Sequence, residues 1–156
     1  MPRRIVPLIL SVVAVAATAP GLRAQTAQTR LWDSAISGDT VALVQALDAG
    51  AAPDSLDIRS NPNGRRALNW AAWYNRVPAI RILVARGATV NSSNLTGFSP
   101  LHHAAEAGSL EAARALLAAG ADPLRLTGEA ETPGQVARRK GFTALADTIE
   151  AAARRR

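Results

Sequence analysis

Cysteine is absent from this sequence of 156 residues, and lysine occurs once, at Lys140. Without cysteine there can be no disulfide framework, no thiolate metal site and no cysteine nucleophile. Aromatic residues make up only 4% of the chain, whereas hydrophobic residues make up 48%, and alanine is the most frequent of them. Such a protein is held together by the packing of small side chains, which is typical of thin helices that stack closely.

Signatures of catalysis are also missing. The sequence has no G-x-S-x-G nucleophile elbow, no phosphate-binding P-loop and no H-E-x-x-H motif. Its only two histidines, His102 and His103, are adjacent, and a zinc site needs three or four ligands. We therefore predict a protein that is not an enzyme and that has no metal or other cofactor.

The first 24 residues have the pattern of a secretory signal peptide. M-P-R-R is followed by an apolar run from Ile5 to Ala19 and then by P-G-L-R-A, which predicts cleavage after Ala24. The run is shorter than the ~20 residues that a membrane-spanning helix needs. We therefore predict a periplasmic or secreted protein without an integral membrane span; an uncleaved anchor and a misassigned start codon are the alternatives.

The positive charge says little about the partner. The formal net charge of +6 falls to +3 when cleavage removes Arg3, Arg4 and Arg23. No nucleic-acid partner is predicted from so small an excess. The preference for arginine over lysine and the abundance of alanine indicate a bacterium with GC-rich DNA.

One stretch, residues 97–123, has the pattern of a complete folding unit, G-F-S-P-L-H-H-A-A-E-A-G-S-L-E-A-A-R-A-L-L-A-A-G-A-D-P. Ser99 and Pro100 favour the start of a helix, and Gly108 favours its end in a left-handed conformation. Leucine and alanine then recur at helical spacing, which indicates a second helix. The pattern is repeated earlier in the chain, with Asn75 in place of the glycine, and again later from T-P-G.

These motifs resemble the ankyrin repeat, whose T-P-L-H-x-A signature begins a unit of about 33 residues. Here the signature is S-P-L-H-H-A-A, followed by L-L-A-A-G-A-D. The resemblance implies an all-α repeat solenoid, in which pairs of helices are joined by hairpin loops. We predict a signal peptide, a short linker, four repeat units of which the outer two are caps, and a basic tail, at residues 1–24, 25–30, 31–57, 58–94, 95–127, 128–153 and 154–156.

The loop between the first two units is predicted to be longer than the others, because it carries extra residues and the strong turn sequence N-P-N-G. The insertion is either a tolerated surface loop or a recognition finger, since loops often carry binding residues.

The resemblance also implies which residues face the concave groove of the repeat stack, namely the two before the mid-repeat glycine and one in the preceding loop. The predicted partner-binding residues are Arg65, Trp73, Tyr74, Phe98, Glu106, Arg139 and Lys140. Tryptophan, tyrosine and arginine are enriched at binding hot spots. In the alternative interpretation, Trp73 and Tyr74 fold inward and fill gaps left by alanine, as we predict for Trp70.

The sequence thus predicts an exported, non-catalytic interaction module that binds a partner protein in its groove. Two alternatives remain at this point. The C-terminal arginines, extended by Arg138, Arg139 and Lys140, form a basic patch for anionic envelope lipid or polysaccharide, or the aromatic patch mediates a homodimer.

Overall fold

The computed structural model describes residues 20–155. Residues 1–19 of the predicted signal peptide and Arg156 of the predicted basic tail lie outside the described residues. Within that range the chain forms eight α-helices, which follow one another as four consecutive pairs. The helices are α1 Pro20–Ser37, α2 Thr40–Asp48, α3 Ala67–Trp73, α4 Val77–Ala85, α5 Pro100–Ala107, α6 Leu110–Ala118, α7 Pro133–Arg139 and α8 Thr143–Ala153. None of these helices is both long enough and apolar enough to cross a membrane.

The turn inside each helix pair contains one residue with a left-handed backbone. Three of these residues are glycines, Gly38, Gly108 and Gly141, with φ between 74° and 87°. The fourth is Asn75, with φ of 56°, and asparagine is one of the few residues that adopts this conformation at modest cost. The predicted equivalence of Asn75 and Gly108 is confirmed.

Local capping explains where α5 and α7, the first helices of the third and fourth pairs, begin. The hydroxyl of Ser99 accepts a hydrogen bond from the His102 backbone N–H at the start of α5. The hydroxyl of Thr132 accepts one from the Gln135 N–H at the start of α7 in the same way. In each case a proline follows the capping residue, where its missing N–H costs nothing.

Helix α1 is longer than the first helix of the other pairs and includes residues 25–30, which the sequence analysis assigned to a linker. Contacts with the fold explain the extension. Ala27 is buried, and the side-chain amide of Gln28 both donates to and accepts from the backbone of Ala52. These residues are part of the first repeat rather than a connection to it.

The core is a continuous layer between neighbouring helix pairs. Each second helix contributes a fully buried aliphatic residue, such as Leu43, Leu83 and Leu116. Alanines with no exposed surface fill the space between the first helices. Small side chains let the pairs approach closely, as the composition predicted.

The hairpin loops that join the pairs are hydrogen-bonded to one another. The Leu95 N–H donates to the carbonyl of Asn63 in the first loop, and the Gly128 N–H donates to the carbonyl of Thr96 in the second loop. The first loop is the longest. Asp57 and Arg65 form a bridge with seven residues between them, whereas the next loop closes from Asn94 to Phe98 with three residues between them. The prediction of a longer first loop is confirmed.

Candidate partner-binding groove

The residues predicted to bind a partner lie along one side of the stack. They come from the C-terminal turns of α3, α5 and α7 and from the bases of the hairpin loops, and we call this surface the groove. Helix α5 contacts both α3 and α7, so the groove is continuous over three helix pairs. Contacts between the side chains divide it into an aromatic part and a charged part.

Arg65 is at the centre of the aromatic part. Its Cζ atom lies over two indole rings, 4.5 Å from the ring centre of Trp70 and 4.3 Å from that of Trp73. The Arg65 backbone is held by the bridge to Asp57, and the two rings belong to the rigid helix α3. The guanidinium is therefore positioned by elements on both sides.

The three aromatic residues of α3 and its C-terminus differ in exposure. Trp70 is buried and donates from Nε1 to the carboxylate of Asp57 at 3.1 Å, so its predicted place in the core is confirmed. Trp73 is partly buried, and its ring meets the edge of His103. Tyr74 stacks on Trp70 but keeps 43% of its surface exposed. The alternative in which Trp73 and Tyr74 both fold into the core is wrong for Tyr74, whereas Trp73 is intermediate between buried and exposed.

Phe98 and His103 form the floor beside these rings. The ring of Phe98 lies 5.6 Å from each of the two histidine rings. Neither ring nitrogen of His103 has a hydrogen-bond partner among the described residues. Burial, with the charge of Arg65 and then His102, lowers the pKa of His103 to about 3. His103 therefore stays neutral and packs as an apolar group would.

His102 has the opposite environment. The Ser99 N–H donates to Nδ1, which leaves the proton on Nε2, and Nε2 lies 3.1 Å from the carbonyl of Glu131 in the next loop. Burial is the main cause that lowers the pKa of His102. His102 occupies the histidine position of the ankyrin signature, and this bond ties it to the loop of the next unit.

The equivalent link recurs in the second unit, where the amide nitrogen of Asn69 lies 3.5 Å from the carbonyl of Phe98. Trp32 occupies this position in the first unit, and its Nε1 donates to the carbonyl of Ser55 at 3.2 Å. The equivalent carbonyl in that loop belongs to Arg65. The larger tryptophan ring therefore reaches a different point of the loop, and the first unit is linked to its neighbour differently from the others.

The charged part of the groove consists of ion pairs. Lys140 Nζ lies 3.2 Å from a carboxylate oxygen of Glu106, and Arg139 makes two hydrogen bonds with the carboxylate of Glu131. The hydrogen bonds and charge of Arg139 lower the pKa of Glu131. Arg139 and Lys140 were predicted to bind a partner, but both already have carboxylate partners within the chain.

The broader basic patch does not form either. Arg138 is paired with Asp147 and Glu150 on α8. Of the predicted tail, Arg154 and Arg155 are exposed. The unpaired cation of the groove is Arg65: among residues 20–155 its guanidinium forms no ion pair, and its Nε is buried without a hydrogen-bond partner.

Two features of the site were not predicted from the sequence. One is the buried carboxylate of Asp57, which holds Trp70 and also pairs with Arg59 at 2.8 Å. Burial alone acts to raise the pKa of Asp57, but the hydrogen bonds and charge of Arg59 outweigh it, and the pKa is lowered. The other is the floor position of His103. The sequence did contain a signal for Asp57, because a polar residue, Asn94, occupies the equivalent position of the next loop. Each of these side chains accepts a hydrogen bond from the backbone N–H of the residue two positions later.

Within the described part of the chain, no group of three or more histidine or acidic side chains is placed to hold a metal ion.

Comparisons with known proteins agree with the fold. A sequence profile described as "Ankyrin repeats (3 copies)" matches residues 31–127. Tyrosine-protein kinase Shark from Drosophila melanogaster is 36% identical over 126 residues, which are 80% of this chain but 13% of the kinase. Tyrosine-protein kinase HTK16 from Hydra vulgaris is 31% identical over 111 residues, 70% of this chain and 14% of the kinase. The B-cell lymphoma 3 protein homolog from Mus musculus is 34% identical over 110 residues, 70% of this chain and 24% of that protein.

The chain spans less than a quarter of the length of these three relatives, so it matches their repeat regions and not their other domains. Ankyrin repeats generally bind protein partners and are typically non-catalytic. One conclusion accounts for the four helix pairs, the left-handed turns, the hydrogen bond of the signature histidine and the profile match: the chain belongs to the ankyrin-repeat family.

Proposed function

We propose that this protein is an exported, non-catalytic scaffold that holds a partner protein in its groove. One observation carries the proposal. Trp73 and Tyr74 lie side by side at the end of α3, partly exposed and next to an arginine without an ion pair. Tryptophan, tyrosine and arginine are the residues that contribute most to binding energy when a partner covers them.

The rigidity of this surface supports the proposal. Trp70 contacts both the guanidinium of Arg65 and the ring of Tyr74, so these side chains are already arranged before a partner binds and little conformational entropy need be lost. The basic-tail alternative has less support, since Arg138, Arg139 and Lys140 are neutralised by carboxylates and do not extend the patch.

The proposal that the protein is exported rests only on the first 24 residues, which have a basic start and a hydrophobic run. Cell fractionation followed by N-terminal sequencing tests it. We expect a protein outside the cytoplasm that begins at Gln25, whereas a full-length cytoplasmic protein would contradict export and leave the groove proposal intact.

Site-specific photocrosslinking tests the groove. We would place a photoreactive phenylalanine derivative at Tyr74 in one variant and at Val41 in another, and compare the captured proteins by mass spectrometry. Val41 is 66% exposed and lies on α2, away from the groove, so it is a matched control. We expect a protein captured from position 74 and not from position 41, and lost when Arg65 and Trp73 are also replaced.

Other results would point elsewhere. Crosslinks from position 74 to a second copy of the chain alone would support the homodimer. Equal capture from both positions would mean that the groove is not the binding surface.

A further inference from the structure

The cations of the groove differ in how their charge is compensated. Arg139 and Lys140 each face a carboxylate. Arg65 has no such partner, and Glu106 acts on it only through space. Burial is the main cause that lowers the pKa of Arg65, yet arginine remains protonated in proteins. A partly desolvated positive charge is left in the middle of the groove, and such a charge is costly unless it is paired.

The surroundings of Arg65 restrict how a ligand can reach it. The rings of Trp70 and Trp73 lie against its guanidinium group, and Nε is buried. The terminal nitrogens are therefore the donors that remain for a ligand. A planar carboxylate that approaches them edge-on forms two parallel charge-assisted hydrogen bonds, the geometry that guanidinium groups favour.

A second, independent feature lies in the same floor. His103 is 2% exposed, its imidazole has no hydrogen-bond partner among residues 20–155, and its ring meets the rings of Trp73 and Phe98. This floor offers apolar contacts and no further cation. Phosphate groups are recognised by clusters of arginines, so a single uncompensated guanidinium within an aromatic wall favours the singly charged carboxylate.

We propose that Arg65 is a carboxylate-binding subsite, which takes the side chain of an aspartate or glutamate from an extended partner segment whose neighbouring apolar residues lie on Trp73, Tyr74 and Phe98. This inference rests on the proposed function of the groove and names the chemistry of the partner. The arginine sets which segments bind, and the aromatic rings supply most of the contact area.

Peptide libraries test the subsite without knowledge of the natural partner. The probes are three octapeptide libraries with blocked ends and randomised flanking positions, which differ only in a fixed central residue: glutamate, glutamine or lysine. Binding of the purified full chain to each immobilised library is measured at physiological salt. We expect binding in the order glutamate, glutamine, lysine, with glutamate favoured by about tenfold or more, as for a hydrogen-bonded charge pair.

Variants of the protein show which residue causes the preference for glutamate. Arg65→Gln should remove the preference for glutamate, and Tyr74→Ala should weaken binding to the glutamate and glutamine libraries alike. Arg86→Gln removes the same charge from an exposed arginine outside the groove that is already paired with Asp48, and should leave the preference unchanged. Because Arg65 contacts two tryptophans, Arg65→Lys is a second variant, which keeps the charge but not the bidentate geometry and should retain only part of the preference. Thermal unfolding of each variant shows that the fold is intact.

The outcomes separate the two proposals. Binding that depends on Tyr74 but is equal for glutamate and glutamine overturns the carboxylate subsite and leaves the groove function standing. Equal loss of preference in the Arg65 and Arg86 variants also overturns the subsite, since it indicates general electrostatic attraction. Absence of binding to any library, or binding unaffected by Tyr74→Ala, overturns both. A preference for a free C-terminal carboxylate over a central glutamate overturns the side-chain assignment.

Discussion

At the scale of single residues, His102 and His103 are neighbours in the sequence with unlike surroundings. Both are buried, but His102 has hydrogen bonds at both ring nitrogens, and His103 has none among the described residues. A buried polar group without a partner is destabilising, whereas a buried group with partners leaves those partners unsatisfied when it is removed. The two residues should therefore respond in opposite ways to the same substitution.

We predict that His103→Leu raises the free energy of unfolding at pH 7 by about 1 kcal/mol, because an apolar side chain needs no hydrogen bonds. His102→Leu should lower it by about 2 kcal/mol, because the Glu131 carbonyl and the Ser99 N–H lose their partner. Urea unfolding of the two variants and the parent protein measures both changes. Equal destabilisation by the two substitutions would mean that His103 has a partner after all.

The pH dependence of stability provides the second readout for His103. Its pKa is about 3 in the folded protein against 6.5 for an unperturbed histidine, so the unfolded chain binds the proton first. The contribution of neutral His103 to the free energy of unfolding is therefore fully present above about pH 6.5. It is lost as the pH decreases toward 3, by up to about 1.4 kcal/mol per pH unit. His102, whose pKa is also lowered, adds to this loss.

Between pH 6.5 and about 5.5, above the range in which Asp57 and Glu131 take up protons in either the folded or the unfolded chain, the slope of stability against pH should be smaller in His103→Leu than in the parent protein. An unchanged slope would show that His103 is hydrated enough to bind a proton in the folded state.

At the scale of the helices, the repeats are joined by caps that come from a neighbouring pair. Helix α6 has no side-chain cap of its own at Ser109; instead the side chain of Asn75 accepts from the Ala112 N–H at 2.8 Å. Ser109 in turn donates to the carbonyl of Trp73 at 2.9 Å. The end of α3, where the groove aromatics lie, is thus fastened to the start of α6.

Asn75 allows the cost of the left-handed turn to be separated from that of the cap. Asn75→Gly removes the hydrogen bond but leaves a residue that adopts positive φ freely, and should lower stability by about 1 kcal/mol. Asn75→Ala removes the same bond and keeps a β-carbon at positive φ without the polar side chain that lets asparagine adopt this conformation, so it should cost about 1–2 kcal/mol more than Asn75→Gly. Chemical denaturation of the pair measures the difference. If both variants lose the same stability, the turn has relaxed out of the left-handed conformation.

At the scale of the whole molecule, stability is the sum of contacts between adjacent pairs, as in other repeat proteins. The last pair, α7 and α8, covers α5 and α6 with Val136, Leu145 and Ile149, all buried. Its outer surface carries the ion pairs of Arg138. We therefore predict that these helices act as a cap on α5 and α6.

Removal of residues 128–156 should therefore expose apolar surface, lower the thermal midpoint and cause self-association, because each pair relies on its neighbour to bury its core face. Removal of residues 154–156 alone should leave the midpoint unchanged. Calorimetry and light scattering compare the two truncations. An unaltered midpoint after the longer deletion would contradict the role of the last pair as a cap.

The sequence by itself determined the features that depend on a few neighbouring residues. The left-handed turn at Asn75 and the caps at Ser99 and Thr132 follow from backbone preferences and from side chains that reach only three or four positions. The repeat itself followed from the recurrence of these local signals. The extension of α1 was missed because its reason, the pairing of Gln28 with Ala52, joins residues far apart in the chain.

The groove shows the same division. Its residues were predicted by their positions in the repeat, but which of them carries uncompensated charge was decided only when the chain had folded. Lys140 meets Glu106 and Arg139 meets Glu131, whereas Arg65 meets two tryptophans. Exposure of Tyr74 beside a more buried Trp73 was decided in the same way. Charge pairing and burial are properties of side chains brought together from different repeats, and only the tertiary structure sets those distances.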